Sequence, residues 1–142
     1  MMGKVHKIRK KSLQEVMADD LMQTDPVTYH QDVICLEIAK ALVKTHFGAI
    51  AIVDQGRKPI GIVTEYDLLR AIEEGKDLEK ITPSEIMTEP VIVSEKALIT
   101  EVLDTFVTGH LIHLPVVDYQ ERLIGLIERH DVLAAYVQFK QR

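Results

Sequence analysis

The chain has 142 residues, of which 46% are hydrophobic and 27% charged. This composition is typical of a folded globular protein and excludes a disordered chain. The formal net charge of -5 gives no general reason to expect nucleic acid as a partner. No run of about 18 apolar residues is present, so we expect no membrane span. The single Cys35 lies among apolar neighbours, which predicts a buried thiol in a reducing compartment and hence a cytoplasmic protein.

Residues 1–15 carry a short basic run that leads towards a short helix near residues 12–18. No apolar stretch of the kind that a secretory signal needs follows this run. We interpret it as a solvated tail, with contact to an anion or a partner as the alternative. The basic residues are Lys4, Lys7, Arg9, Lys10 and Lys11.

The remaining elements follow one order twice. Apolar residues three or four positions apart predict helices, and two β-branched runs around a polar turn predict a hairpin. The first copy has a strand at 27–29, a helix at 32–46, strands at 50–53 and 60–63, and a helix at 65–74. The second copy has a short helix near 83–86, a strand at 91–93, a helix at 96–108, strands at 114–117 and 123–127, and a helix at 129–139.

A shift of 64 residues aligns the two copies without a gap from Pro26 to Ala71. Self-similarity of this kind indicates a tandem structural repeat. The residues predict two βαββα units in the α/β class, the first at 16–78 and the second at 79–142, which together form one module. The identities include Pro26 with Pro90, Glu37 with Glu101, His46 with His110, Gly61 with Gly125, and Asp67 with Asp131.

The last helix is apolar almost without a break over residues 132–137. A helix that is apolar around most of its circumference is buried on more than one face. One face covers its own sheet, and the other needs a second repeat or a second subunit. We therefore expect a homodimer.

Three motifs of the repeated units resemble the CBS domain. They read Met87-Thr88-Glu89-Pro90-Val91, Leu114-Pro115-Val116-Val117-Asp118 and Gly61-Ile62-Val63-Thr64-Glu65-Tyr66-Asp67. The resemblance covers roughly residues 16–139. It implies a CBS pair packed pseudo-symmetrically through its sheets, with two clefts between the repeats. Such modules usually dimerise. Their clefts commonly bind AMP, ADP, ATP or S-adenosylmethionine, and some bind no known ligand.

Thr64 and Asp67 carry the sharpest hypothesis. Thr64 ends a predicted strand where a helix begins, and a helix N-terminus has free N–H groups that suit a phosphate. In the family, the matching hydroxyl and carboxylate contact phosphate and ribose. The alternative is a capping box, in which the two residues only satisfy each other's backbone N–H groups. The second copy has Glu128 for Thr64 but keeps Asp131. This carboxylate without a capping partner favours the ligand role.

By the same resemblance, five further residues complete the first cleft: Gly48, Ala49, Thr82, Met87 and Ile112. Small or apolar residues here suit a flat purine. Plain core packing is the alternative for Met87 and Ile112. Because no Arg or Lys is evident for a triphosphate, AMP or an adenosyl group such as S-adenosylmethionine is favoured over ATP.

The second cleft would contain Glu128, Asp131, His113 and His130. Glu128 places a negative charge where a phosphate would lie, although histidine can supply a positive charge near neutral pH. The cleft is therefore empty, or binds an uncharged adenosine group, or uses histidine for a phosphate. We favour a single competent cleft, around Thr64 and Asp67.

The remaining histidines and motifs suggest neither a metal site nor an enzyme. His110 and His113 lack the spacing of a metal motif, and His46 and His110 fit helix C-termini, where a cation favours the dipole. No nucleophile or phosphate-loop signature is present. We expect a non-catalytic regulatory module that binds an adenosine-type ligand and signals to a protein partner that the sequence does not identify. The alternative is a ligand-free module for dimerisation or protein interaction.

Overall fold

A computed structural model describes Ile8 and residues 11–141. Of the basic run, Lys4, Lys7, Arg9 and Lys10 lie outside the described residues, and Lys11 contacts Asp20 through its Nζ at 2.6 Å. The described chain divides into two compact units. The first-repeat unit is Pro26–Pro90, and the second-repeat unit joins the described residues up to Asp25 with those from Val91 onward.

The described residues form seven strands, five α-helices and two 3-10 helices. None of these helices is long and apolar enough to cross a membrane. In chain order they are a 3-10 helix (Leu13–Glu15), α1 (Ala18–Leu21), β1 (Gln23–Thr24), β2 (Thr28–Tyr29), α2 (Cys35–Thr45), β3 (Ala49–Val53), β4 (Pro59–Thr64), α3 (Glu65–Glu73), a second 3-10 helix (Pro83–Glu85), β5 (Val93–Ser94), α4 (Ile99–Gly109), β6 (His113–Val117), β7 (Leu123–Glu128) and α5 (Arg129–Lys140).

The two units repeat the same sheet. In the first-repeat unit, β2 runs parallel to β3, and β3 pairs antiparallel with β4. In the second-repeat unit, β5 runs parallel to β6, and β6 pairs antiparallel with β7. The registers correspond position by position, since Ala49 faces Thr64 and His113 faces Glu128. The predicted βαββα order and the α/β class are confirmed.

The N-terminal segment of each sequence repeat joins the unit of the other repeat. β1 lies in the N-terminal segment of the first repeat, yet Gln23 pairs with Leu126 of β7. Thr88 lies in the N-terminal segment of the second repeat, yet it exchanges two backbone hydrogen bonds with Ile62, of 2.9 and 3.0 Å. The compact units therefore cut across the sequence repeats, because each sheet is extended by a segment from outside its own repeat.

Several predicted bounds shift. The helix predicted from residue 32 begins at Cys35, because Ile34 is still extended and the Cys35 N–H donates to the Ile81 carbonyl at 2.8 Å. The strand predicted at 91–93 is observed at Val93–Ser94, and the short helix predicted at 12–18 is split into a 3-10 helix and α1. The two-residue β1 was not predicted.

The hairpin turns are built by one aspartate in each repeat. Asp54 Oδ1 accepts backbone N–H groups of Gly56 and Lys58, both at 2.9 Å. Asp118 Oδ1 accepts those of Gln120 and Arg122 at 2.8 and 3.0 Å. The Arg122 N–H, with help from Gln120 and the Arg122 side chain, lowers the pKa of Asp118. These contacts explain why the same turn recurs with different residues inside it.

Each unit has its own apolar core. In the first-repeat unit, Ile38 and Leu42 of α2 pack with Ile50, Ile52 and neighbouring buried residues. Cys35 belongs to this core, which confirms the predicted buried thiol. Burial, and secondly the nearby Glu85 carboxylate, raises the pKa of Cys35 to about 11. The thiol is therefore protonated and unreactive at neutral pH.

The apolar circumference of α5 divides between core and surface. Val132 and Ala135 are buried, whereas Leu133, Tyr136 and Val137 are exposed. The same holds for α4, where Phe106 is buried and Val107 is 69% exposed. Both α4 and α5 therefore carry apolar side chains that are exposed to solvent.

At Gly61 and at Gly125, a methionine side chain packs directly against the glycine. A Cβ at Gly61 would overlap Met87 Sδ and lie 2.7 Å from its Cγ, and Met22 fills the same space at Gly125. We expect Gly61→Ala to lower the free energy of unfolding by about 1–3 kcal/mol, because overpacking forces side chains off their rotamers. Urea denaturation measures this change. Gly56→Ala is the matched control, since its Cβ would meet only Asp54 Oδ1 at 3.4 Å; equal losses in both variants would contradict the packing explanation.

Candidate ligand-binding site

The junction between β4 and α3 is a complete capping box. Thr64 is the last residue of β4 and the N-cap of α3. Its backbone N–H donates to Asp67 Oδ2 at 2.8 Å, and the Asp67 N–H donates to Thr64 Oγ1 at 3.1 Å. The capping role that the sequence left open is therefore real. Any ligand role must use the remaining acceptor capacity of the two side chains.

That capacity lies mainly on Asp67 Oδ1. Asp67 is only 6% exposed. Its Oδ1 has the Arg70 Nη1 at 3.9 Å, which is an ion-pair distance and too long for a hydrogen bond. The Arg70 guanidinium also lies over the Tyr66 ring, 4.9 Å from its centroid. The first-repeat junction thus pairs one carboxylate with one cation.

Arg70 is a cation beside this junction that the sequence motif does not contain. The signal was available, because residues three apart on a helix are neighbours and Arg70 follows Asp67 by three. Arg70 lies outside the motif Gly61–Asp67, so the motif alone does not indicate it.

Two predicted residues lie directly beside this junction. The Gly48 carbonyl accepts the N–H of Glu65, the first residue of α3, at 3.0 Å. Ala49 faces Thr64 across the sheet. The end of β4, the start of β3 and the N-terminus of α3 therefore meet at one place.

The other three predicted site residues lie at different places in the two units. Met87 packs against Gly61 of β4. Thr82 caps the 3-10 helix Pro83–Glu85, and its N–H donates to Glu85 Oε2 at 3.0 Å. Ile112 belongs to the second-repeat unit, where its carbonyl accepts the Arg129 N–H at 3.3 Å. Ile112 is thus the counterpart of Gly48 rather than a neighbour of Thr64 within the first-repeat unit.

The second-repeat junction keeps half of the cap. The Glu128 N–H donates to Asp131 Oδ2 at 2.8 Å, as Thr64 does to Asp67. The prediction that Asp131 lacks a capping partner is therefore wrong, because the donor is a backbone group that any residue at 128 supplies. Persistence of this aspartate is explained by capping and does not by itself indicate a ligand.

Gln23 reaches the second-repeat junction from β1. Its Nε2 donates to Glu128 Oε1 at 2.8 Å and to Asp131 Oδ2 at 3.1 Å. One amide therefore bridges the two carboxylates. No local sequence pattern predicts this contact, because Gln23 and Glu128 are separated by 105 residues.

The histidines have separate surroundings. His113 is buried on β6, opposite Glu128 in the sheet register, and His130 is exposed on α5. His46 and His110 are the C-caps of α2 and α4 and adopt left-handed backbone conformations, with φ of 61° and 50°, so their predicted helix-terminal positions are confirmed. Within the described residues, no group of three or more His, Cys, Asp or Glu side chains is arranged to hold a metal ion.

Comparison with known proteins identifies the family. The CBS domain model matches residues 18–74 and 84–138. The chain belongs to the CBS-domain family. A solved CBS domain pair, in complex with 5′-methylthioadenosine and S-adenosyl-L-methionine, is similar at a TM-score of 0.77 and 27% identity, covering 86% of this chain and 96% of that one. A CBS domain protein from Pyrobaculum aerophilum complexed with AMP has the same fold, with a TM-score of 0.79, 20% identity, and coverage of 89% and 100%.

Curated CBS-family relatives are longer than this chain. An uncharacterized protein of Methanopyrus kandleri is 29% identical over 85% of this chain, which spans 63% of that relative. The L-aspartate semialdehyde sulfurtransferase of Methanocaldococcus jannaschii is 30% identical over 82% of this chain, which spans 22% of that enzyme. The chain therefore spans only part of the length of these relatives.

The capping role of Asp67 can be measured directly. We expect Asp67→Ala to lower the free energy of unfolding by about 1 kcal/mol, because the N–H of Thr64 loses its acceptor. Asp67→Asn should recover most of that loss, since an amide oxygen can accept the same bond. Chemical denaturation of the three proteins tests this. If the Asn variant were as unstable as the Ala variant, the ion pair with Arg70 would matter more than the cap.

Proposed function

We propose that this CBS pair is a non-catalytic regulatory module that binds an adenosine-containing ligand at the first-repeat junction. AMP is favoured, and S-adenosylmethionine is the other candidate. The observation that carries the proposal is the Asp67 carboxylate, which is almost fully buried while only one of its oxygens is used in the cap. A buried carboxylate oxygen that can still accept hydrogen bonds suits the two hydroxyls of a ribose.

The surroundings of Asp67 supply the rest of the ligand chemistry. The N-terminus of α3 presents the positive end of a nine-residue helix, which favours a phosphate group. The small Gly48 and Ala49 lie beside it and leave room for a ligand. Arg70 offsets part of the negative charge of Asp67, which reduces the repulsion that an anionic ligand would meet here. A monophosphate fits this single cation better than a triphosphate does.

Two comparisons support an adenosine ligand and a role outside catalysis. The solved CBS pair at 27% identity was crystallised with 5′-methylthioadenosine and S-adenosylmethionine, both of which contain adenosine. The sulfurtransferase relative is matched over only 22% of its length, so most of that enzyme has no counterpart in this sequence. In this proposal the ligand signal passes to a protein partner, and the buried thiol of Cys35 is consistent with the reducing cytoplasm.

The proposed module is a homodimer. In the first-repeat unit Val43 is 75% exposed, with Leu69 and Ile72 also on the surface. In the second-repeat unit a groove of about 710 Å³ lies between α4 and α5. Apolar helix faces of this extent are typical of subunit interfaces. The groove is lined by Leu13, Ile99, Leu103, Phe106, Val107, His110, Leu111, Arg129, Val132, Leu133 and Tyr136. The same faces favour the alternative function, a ligand-free interaction module.

Ligand binding is tested with a pair of variants that share the same cap. We expect Asp67→Asn to weaken AMP binding by about 10- to 100-fold, because the amide keeps the bond from Thr64 but loses the charged acceptor for ribose. Asp131→Asn is the matched control and should bind as the wild type does. Equilibrium dialysis of folded protein with AMP, and separately with S-adenosylmethionine, gives both affinities. Wild-type protein that binds neither compound would favour the ligand-free alternative.

Dimerisation is tested on the apolar face. Val107→Lys should raise the dimer dissociation constant on the order of a hundredfold, since it places an unpaired charge in an apolar interface. Sedimentation equilibrium measures the constant. Tyr119→Lys is the control, because Tyr119 is 88% exposed but lies in the β6–β7 turn, away from the helix faces. A monomeric wild type, or equal effects of the two variants, would contradict this interface.

A further inference from the structure

The two junctions differ at two positions that contact each other. Glu128 stands where the first repeat has Thr64. Gln23 pairs with Leu126, and Thr88 pairs with Ile62, which is the counterpart of Leu126 under the 64-residue shift. Gln23 and Thr88 are therefore equivalent in space. The second repeat has replaced two threonines by a carboxylate and by the amide that bonds it.

We propose that Gln23 and Glu128 are specificity-determining residues that close the second-repeat junction to adenosine phosphates, so that each chain binds one. This inference rests on the proposed function of the first-repeat junction. It extends that function by assigning a cause to the difference between the junctions, and by naming Gln23 of β1, which belongs to the first sequence repeat but contacts the second-repeat junction.

Hydrogen bonding supplies the first reason. Asp131 Oδ2 accepts both the Glu128 N–H and Gln23 Nε2. In the first repeat, Thr88 does not take the equivalent part, since its hydroxyl lies 3.5 Å from the Ile62 carbonyl. The Gln23 side chain is held in place by main-chain pairing of β1 to β7. Because its amide contacts both carboxylates, it occupies space beside Asp131 that a ligand would need.

Charge supplies the second reason. The N-cap of α3 is the uncharged hydroxyl of Thr64, whereas the N-cap of α5 is the half-buried carboxylate of Glu128. Apart from the capping aspartates, the other charged side chains of the two helix starts, among them Glu65 and Arg70 on α3 and Arg129 on α5, are exposed, and solvent screens them. A phosphate at the N-terminus of α5 would therefore lie beside a carboxylate where the first repeat has a hydroxyl, which disfavours phosphate-bearing ligands.

The test transplants the first-repeat residues into the second repeat. The background is Asp67→Asn, which disables the first-repeat junction. The variant adds Gln23→Thr and Glu128→Thr, and equilibrium dialysis with AMP gives affinity and stoichiometry. We expect the background alone to bind AMP about 10- to 100-fold more weakly than the wild type, and the added changes to restore one AMP per chain at close to the wild-type affinity. A further Asp131→Asn should remove the restored binding.

The outcomes separate this inference from the proposed function. Wild-type protein that binds two AMP per chain overturns the closure and leaves the function standing. A folded Gln23→Thr/Glu128→Thr variant that gains no AMP, while the wild type binds one, also overturns it. If the wild type binds no AMP and this variant binds one AMP per chain, the proposed function of the first-repeat junction is wrong and the closure of the second-repeat junction stands. If neither protein binds AMP, both proposals are wrong. Should the variant not fold, the wild-type stoichiometry decides: one AMP per chain, unchanged by Asp131→Asn, supports closure.

Discussion

The turn from strand to helix in each repeat depends on a carboxylate that accepts a backbone N–H three residues earlier. This bond is 2.8 Å long at both Asp67 and Asp131. It holds the first turn of the following helix, α3 or α5, next to the last strand of the repeat, so that the helix N-terminus lies at the end of the sheet. The cap uses one carboxylate oxygen. The other oxygen, and the residue at the N-cap, are left to vary between the repeats without loss of the turn.

The neighbours of each cap come from outside its own repeat. Met87 packs against Gly61, and Met22 packs against Gly125, because the N-terminal segment of each repeat extends the sheet of the other repeat's unit. These close approaches hold the extending segments in register, since any side chain on the glycine would collide with the methionine. Gln23 follows Met22 and is thereby placed at the second-repeat junction. Thr88 follows Met87 and takes the equivalent position in the first-repeat unit. Selectivity at a junction can change through Gln23 or Thr88 while the repeat itself is unaltered.

The sequence predicted what local patterns encode. Runs of β-branched residues around Asp54 and Asp118 predicted both hairpins, and the 64-residue shift predicted their equal registers. Prediction from the sequence failed where the hydrogen-bond partner of a side chain is a backbone group or a residue distant in the chain. The Glu128 N–H is present whatever the residue type, so the cap at Asp131 was missed. β1 is two residues long and has no periodicity, so neither its pairing nor the position of Gln23 could be anticipated.

The two changes in the second repeat are best understood as a coupled pair. Glu128 without Gln23 would set two carboxylates side by side with no shared donor, which destabilises the folded state through charge repulsion. Gln23 without Glu128 would leave part of its amide bonding to Asp131 alone. Together they satisfy each other, and the Asp131 cap is untouched. A repeated fold can therefore give up the chemistry of one junction while keeping its structure, because the donor of the bond that shapes the turn is the backbone N–H of residue 128, whereas the groups that would select a ligand are side chains.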